Sequence, residues 1–323
     1  MTQKIRSLEL PEQMPTTGAL KSWGQNVHDY EPEFWEFQYS GYRYLKNVDN
    51  DKLDERYRDI HRNFCILVRP ERDVIPVNSF LSSWYWYRKE HQTRYEYFLR
   101  NRALPLPLPC PRGNFSAPVR PKGPNSSDIL FRYGVSQFMK PFIERGEIRI
   151  SPASVYKDGP LSDHRTDDEL NKKRSLPGQH SRITTREGKE IPIIGDVHVT
   201  VSIRVNYYAL CMSTDFEPQI FEEFSDYDSC VIIKDPEQFA ARLEASSRGV
   251  LPNWYFHYNP VEYFDPCEPY KNQYFDPVMC KAFRFAYQME HRMIWHPQEH
   301  GSAKDYIFLC LGSLKDICDL YIK

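Results

Sequence analysis

Apolar and polar positions alternate along one run of the chain, residues 283–295, which reads FRFAYQMEHRMIW. The odd positions are nearly all apolar, and the even positions carry Arg284, Gln288, Glu290 and Arg292. Side chains alternate between the two faces of a strand, so this pattern predicts a β-strand with one buried face and one polar face. The polar face is either a solvated sheet edge or the floor of a functional site.

The first hundred residues show helical periodicity. Apolar and aromatic residues recur at steps of four and three from Phe80 to Phe98, which predicts a helix with one buried stripe. Basic residues interleave there with Trp86 and Tyr97, a combination compatible with a nucleic-acid surface. A helix that is docked through its stripe and keeps its charges solvated is the more common arrangement.

Prolines and basic residues mark two irregular segments. Residues 103–128 contain seven prolines, which exclude a regular helix or central strand and predict an extended linker or strap. Residues 157–190 form a polar insertion that we expect to be a loop. It is either a mobile solvated loop or a surface that follows nucleic-acid phosphates. It carries the one concentrated basic patch of the sequence: Lys172, Lys173, Arg174, Arg182, Arg186 and Lys189.

Short strands outnumber helices from residue 129 onward, without strict alternation of the two. This favours an α+β fold over a doubly wound sheet. We therefore predict a helical N-terminal region over 1–103, a Pro-rich linker or strap over 104–127, and an α+β domain over 128–323.

Composition excludes several classes of protein. Hydrophobic residues make up 41% of the chain and aromatic residues 15%, enough for a sizeable core. The net charge of −2 gives no indication of binding to nucleic acid or to an anionic membrane. Any surface that binds nucleic acid must therefore be a local patch of basic residues. Eight cysteines without a CxxC pair predict reduced thiols rather than disulfides or a zinc site. With no apolar run long enough to span a bilayer, we expect a cytoplasmic protein without a metal.

Three polar elements at predicted strand ends are the candidates for chemistry, since no Gly-rich phosphate loop, nucleophile elbow or metal motif is present. They are Arg132 in FRYG, Ser213-Thr214 in CMSTD, and Gln288 with Glu290 in YQMEHR. Taken singly, each has an ordinary structural explanation, such as cross-strand ion pairs on an exposed strand face.

In this order the three elements resemble the arginine–serine–glutamate branch of the ADP-ribosyltransferase superfamily. The resemblance covers roughly residues 129–323. The stretches YALCMSTDF, CVIIKDPEQFAARL and KAFRFAYQMEHRMIW are also similar to bacterial phage-defence toxins, some of which resemble ADP-ribosyltransferases that act on RNA. The resemblance implies a split, mixed or antiparallel β-sheet core with flanking helices, and NAD as co-substrate.

The resemblance also implies roles for individual residues. Arg132 would bind phosphate or ribose hydroxyls, and Ser213 would orient a carboxylate. Glu290 would accept a hydrogen bond from the ribose 2′-hydroxyl and stabilise the cation that forms when nicotinamide leaves. Gln288 would orient the acceptor. The implied NAD-binding set further includes Tyr133, Thr214 and Arg292.

Two further expectations concern charge and departures from the family. Arg284 and Arg292, on the same predicted strand face, should keep Glu290 ionised. The third hydroxyl of the family's Ser-Thr-Ser is replaced by Asp215, whose side chain we expect to point elsewhere.

Three functions therefore stay open. The first is an NAD-dependent ADP-ribosyltransferase that acts as a toxin or phage-defence effector. It would modify nucleic acid, with RNA favoured over DNA, or else a protein. The second is a non-catalytic module for nucleic acid or a partner protein, and the third is a hydrolase of NAD without an acceptor. The N-terminal region would be a docking surface for an antitoxin or chaperone, a substrate-recognition arm, or a scaffold.

Overall fold

The computed structural model describes residues 8–11, 14–106, 129–158, 168–268, 276–298 and 301–323. It confirms the α+β class: a helical N-terminal region packs against a mostly antiparallel β-sheet. Within these ranges, no helix has both the length and the apolar character needed to cross a membrane. The Pro-rich prediction falls largely on 107–128, outside the described residues.

Helices and strands follow one another in the expected general order. The α-helices are α1 (Thr17–Ser22), α2 (Pro32–Tyr42), α3 (Asn50–Leu67), α4 (Ser83–Leu99), α5 (Ser136–Arg145), α6 (Val155–Asp158), α7 (Gln219–Glu223) and α8 (Pro236–Ser247). The strands are β1 (Leu130–Gly134), β2 (Glu147–Pro152), β3 (Asn171–Pro177), β4 (Ile183–Thr184), β5 (Glu190–Ile191), β6 (Asp196–Ser202), β7 (Tyr208–Ser213), β8 (Ser229–Ile233), β9 (Trp254–Pro260), β10 (Glu262–Phe264), β11 (Cys280–Ala282), β12 (Glu290–Pro297), β13 (Ile307–Cys310) and β14 (Cys318–Ile322).

Helix α4 is the predicted aromatic helix, but it is buried on nearly every side. Trp84, Tyr85 and Trp86 are all fully buried, and so is Lys89. Different faces of α4 contact α2, α3 and the segment that precedes β12. The expectation of a solvated or nucleic-acid-binding charged face is therefore wrong, because the helix lies in the middle of the molecule.

The main sheet contains eight antiparallel strands and is split at its central strand, β7. Along one edge, β12 pairs with the whole of β7, and β9 pairs with β12. Two strands share the other edge of β7. Strand β2 pairs with β7 near Ala209, and β1 pairs with β7 only at Ser213. Among the described residues, 210–212 have no strand partner on this edge. The sheet therefore divides there into a β2–β13 branch and a β1–β8–β14 branch.

Helices α5 and α8 cover one face of the sheet and close its largest core. Phe142 of α5 and Phe239 of α8 stack on each other over buried strand residues. Helix α5 ends at Gly146, which has a φ of 64°. A Cβ atom there would collide with the carbonyl of Gly312, so both the conformation and the space require glycine.

Part of the predicted polar loop is a β-ribbon. Strand β3 pairs with β6 over seven residues, and the short strands β4 and β5 pair beyond them. The loop prediction is wrong for the strand residues 171–177, 183–184 and 190, while residues 185–189 form a turn and residues 159–167 lie outside the described part. The prediction failed because lysine and arginine in β3 hide an ordinary strand alternation.

The predicted strand over 283–295 is only half correct. Phe283–Gln288 is a 3₁₀-helix, Met289 is left-handed with a φ of 44°, and β12 begins at Glu290. The cause is packing: Phe283 and Tyr287 are buried against α3 and α4. The side chain of Asn63 in α3 donates to the carbonyl of Phe283 at 3.2 Å and accepts from the N–H of Tyr287 at 2.8 Å.

Buried charges join the helical region to the rest of the chain. Arg56 of α3 forms two hydrogen bonds with Asp265, at 2.7 and 2.6 Å, and Lys89 of α4 lies 3.1 Å from the same carboxylate. Lys89 also pairs with Glu268 at 2.9 Å. The N-terminal helices therefore share an interior with the segment that follows β10.

The cysteines differ from the expectation in one place. Cys65 takes part in a disulfide bond, so the prediction of reduced thiols is wrong for that residue. Free thiols in the described part of the chain are those of Cys211, Cys230, Cys267, Cys280, Cys310 and Cys318.

Candidate active site at the split of the sheet

The three candidate motifs meet in one row across adjacent strands. Phe131, which precedes Arg132 in β1, pairs with Ser213 in β7, and Ser213 pairs with Glu290 in β12. Segments far apart in sequence thus lie side by side at the end of β7, where the sheet splits.

A cavity of about 260 Å³ opens at this split. A second cavity of about 450 Å³ adjoins it, and the side chains of Arg132 and Arg149 line both. Small-molecule sites typically enclose roughly 300–1,000 Å³, so the two cavities together suit an extended ligand. The first cavity is lined by charged or amide side chains from several elements: Arg132, Arg149, Glu169, Lys281, Gln288, Glu290 and Arg292.

Glu290 is buried and held by two cations. Its Oε1 accepts from Nε of Arg292 at 2.5 Å, and its Oε2 accepts from Nζ of Lys281 at 2.7 Å. Burial acts to raise the pKa of Glu290, but the charges of Arg292 and Lys281 outweigh it and hold that pKa well below its usual range. The carboxylate is therefore ionised at neutral pH.

Arg292 connects Glu290 to a second carboxylate that the sequence analysis missed. Its Nη2 donates to Glu169 at 2.7 Å, and the other oxygen of Glu169 accepts from Lys172 at 2.9 Å. The expectation that Arg292 keeps Glu290 ionised agrees with this geometry. For Arg284 the expectation is wrong, because the 3₁₀-helix turns its side chain toward Glu55, 3.6 Å away.

Lys281 was also missed, although it organises the site. From β11 its Nζ donates to Glu290 and, at 3.0 Å, to Oε1 of Gln288. Gln288 and Glu290 therefore converge as expected, but through a shared lysine rather than through a common strand face. The sequence signal was weak: a single lysine just before the aromatic run.

Arg132 lies at the gap in the sheet. Its Nη1 donates to the carbonyl of Cys211 at 2.6 Å, on the edge of β7 that lacks a strand partner. Nearby, the Tyr207 hydroxyl is buried in the wall of the cavity without a hydrogen-bond partner in the described structure. A buried hydroxyl of this kind is available to a ligand.

Ser213 and Thr214 connect backbone segments rather than contacting Glu290. The Ser213 hydroxyl donates to the carbonyl of Asp215 at 2.8 Å. The Thr214 N–H and hydroxyl both donate to the carbonyl of Met289, at 2.8 and 3.1 Å. Arg292 and Lys281 orient Glu290 in place of Ser213.

Tyr133 and Asp215 bind elsewhere in the protein. The Tyr133 hydroxyl accepts from the N–H of Glu217 at 2.6 Å, so its polar end is occupied, although the side chain lines both cavities. Asp215 points away from the cavity, as expected, and accepts from Arg72 at 3.1 Å. The N-terminal region thereby holds the loop that follows β7.

Strand alternation divides the basic patch. Lys172 and Arg174 are buried, the former against Glu169 and the latter beside the carbonyl of Glu268. Lys173 and Arg182 are exposed. Only part of the predicted nucleic-acid surface is therefore accessible.

No group of three His, Cys, Asp or Glu side chains placed for a metal is found in the described ranges. Comparisons of the chain with protein-family models, with curated proteins and with solved structures find no match.

Proposed function

We propose that the chain is an NAD-dependent ADP-ribosyltransferase that binds NAD at the split of the sheet and releases nicotinamide. The observation that carries this proposal is that Ser213 pairs with Phe131 of β1 on one side and with Glu290 of β12 on the other, which brings Arg132, the residue after Phe131, to the same arginine-rich cavity. This is the arrangement that the motif resemblance implies for an NAD cleft.

The chemistry of the cavity supports the proposal. Cleavage of the nicotinamide–ribose bond develops positive charge on the sugar, which a fixed carboxylate stabilises. Glu290 is buried and ionised, and its position is fixed by two cations. A carboxylate has about four acceptor sites, so two remain for a ribose hydroxyl.

The two cavities match the two ends of a dinucleotide. Arg132 and Arg149 lie at their boundary, where they would bind the diphosphate. Phe138 and Phe308 line the larger cavity and are 60% and 69% exposed, so they offer apolar contacts to the adenine. Nicotinamide and its ribose would then occupy the smaller cavity beside Glu290.

The proposal extends to a toxin or phage-defence role in the cytoplasm. The acceptor would be a nucleic acid, with RNA favoured over DNA. The exposed residues Lys173 and Arg182 of the ribbon would contact the nucleic acid. The N-terminal region would carry the contact with an antitoxin or chaperone. A protein acceptor is the alternative.

Stabilisation by NAD tests the binding step. A ligand that binds only the folded state raises the free energy of unfolding by about 2.7 kcal/mol at 100 times its Kd. We expect NAD to raise the melting temperature of the wild-type protein and of Arg248→Gln, an exposed control, but much less that of Arg132→Gln. An unchanged melting temperature of the wild type at millimolar NAD would exclude the proposed site.

A further inference from the structure

Each carboxylate of the smaller cavity is paired with two cations. Glu290 is bound by Arg292 and Lys281, and Glu169 by Arg292 and Lys172. Burial acts to raise the pKa of Glu290, but the charges of Arg292 and Lys281 hold that pKa well below its usual range, so Glu290 is a poor base toward an incoming acceptor. Among the residues that the structure describes, neither a histidine nor an aspartate lines this cavity.

The buried thiol and two buried hydroxyls of the cavity are poor bases as well. Burial raises the pKa of the Cys211 thiol to about 12, and it also raises the pKa of the Tyr156 and Tyr207 hydroxyls. An effective general base has a pKa near the working pH. An acceptor that must lose a proton, such as an alcohol, an ammonium or a guanidinium, therefore lacks an effective general base in this cavity.

Positive charge is in excess at the same place. Among the described lining residues, four cations, Arg132, Arg149, Lys281 and Arg292, face two carboxylates. Lys281 contacts both Gln288 and Glu290, the two residues that the proposed function places at the acceptor and at the ribose. A cationic acceptor would be repelled there, whereas an anionic oxygen would be attracted.

We propose that the acceptor is a phosphate monoester that Lys281 binds next to the ribose; this inference rests on the proposed function. A phosphate oxygen attacks C1′ of the nicotinamide ribose, and the bond from C1′ to the nicotinamide nitrogen breaks. The electron pair of that bond stays on nitrogen, neutral nicotinamide leaves, and a C1′–O–P bond forms. No proton is transferred, so the step needs no general base.

Acceptor competition tests the inference. The full chain is incubated with NAD and one of five compounds: inorganic phosphate, an oligonucleotide with a 5′-phosphate, the same oligonucleotide with a 5′-hydroxyl, glutamate, or agmatine. Nicotinamide release is timed, and the product is identified by mass spectrometry. We expect the 5′-phosphorylated oligonucleotide, inorganic phosphate, or both to accelerate release at least about tenfold and to carry ADP-ribose on phosphate.

The five compounds distinguish the source of the phosphate, and they show which of the two proposals fails if one does. Acceleration by the oligonucleotide alone identifies a nucleic-acid end as the source of the phosphate, and equal acceleration by inorganic phosphate identifies recognition of the phosphate group itself. Equal or greater acceleration by glutamate, agmatine or the 5′-hydroxyl oligonucleotide overturns the inference. Nicotinamide release that no phosphate accelerates also overturns it but leaves the proposed function standing. Absence of both release and NAD-dependent stabilisation defeats the proposed function itself.

Variants of Lys281 give a second readout. Lys281→Met should lower the ratio of phosphate-stimulated to unstimulated release at least about tenfold by raising KM for the phosphate acceptor. Lys281→Arg should restore part of that ratio, and the exposed control Lys315→Met should keep the wild-type ratio. Stimulation by the oligonucleotide should increase through the second phosphate pKa, about 6, and then stay flat to alkaline pH. An unchanged ratio in folded Lys281→Met would contradict the inference.

Discussion

At the scale of single residues, the site is a chain of alternating charges running from Glu290 through Arg292 and Glu169 to Lys172. The sequence indicated the first two members, because they stand two residues apart. Glu169 and Lys281 could not be predicted, since their approach to Glu290 depends on how distant segments fold over β12. Single-sequence patterns capture neighbours along a strand, but not partners brought in from elsewhere.

His291, next to Glu290, gives a prediction about pH. Its side chain is buried, Nδ1 has no hydrogen-bond partner in the described residues, and burial lowers the pKa to about 4. The unfolded chain, with a histidine pKa near 6.5, binds the proton more tightly. Stability should therefore fall as the pH drops from about 6.5 to about 4, by up to roughly 3 kcal/mol from this residue.

Urea unfolding of the wild type and of His291→Phe across that pH range checks this prediction. The variant should show a smaller loss of stability between pH 6.5 and pH 4 than the wild type does. His198→Phe, on the exposed ribbon, serves as the control and should keep the wild-type slope. Identical slopes for wild type and His291→Phe would show that the histidine is not buried in its neutral form.

At the scale of elements, the 3₁₀-helix over Phe283–Gln288 decides where the site lies. Alternation predicted a strand, because aromatic residues at every second position satisfy that pattern as well as they satisfy packing against α3 and α4. The helix over the Phe80–Phe98 stretch was predicted correctly, since its pattern agrees with its surroundings. The 3₁₀-helix was not, because tertiary contacts from Asn63 override the local preference.

Removal of the Asn63 side chain should uncouple this turn. Asn63→Ala leaves the Phe283 carbonyl and the Tyr287 N–H without their buried partner, at a cost of about 1–3 kcal/mol for each group. Gln288 should lose its position, and NAD binding should weaken. Chemical denaturation together with an NAD titration measures both effects. Asn47→Ala, an exposed control, should change neither, and wild-type behaviour of Asn63→Ala would contradict the assigned role.

At the scale of the whole molecule, the helical region and the sheet form a continuous interior. The predicted domain boundary lies at the Pro-rich segment, where the composition of the sequence changes. Arg56 and Lys89 on one side of this boundary nevertheless form a buried charge cluster with Asp265 on the other side. Arg72 also reaches the loop after β7, at Asp215. The N-terminal helices therefore support the candidate site, in addition to any partner that they bind.

Replacement of Asp265 tests whether the helical region and the sheet share one interior. Burial acts to raise the pKa of Asp265, but Arg56 and Lys89 hold that pKa well below its usual range. Asp265→Asn leaves two buried cations poorly compensated, and breaking such a pair costs about 3–5 kcal/mol. Calorimetric melting should show a large loss for Asp265→Asn and almost none for the exposed control Asp305→Asn. Separate melting transitions for the two regions in the wild type would contradict a shared interior.

Glu290→Gln tests the central claim most directly. The change keeps the shape of the side chain and removes the negative charge that, in the proposed reaction, would face the developing ribosyl cation. Nicotinamide release from NAD should fall at least about 100-fold, while the exposed control Glu262→Gln should match the wild type. Circular dichroism and melting curves establish that both variants are folded. Wild-type nicotinamide release by folded Glu290→Gln would contradict the assignment of an NAD-dependent ADP-ribosyltransferase.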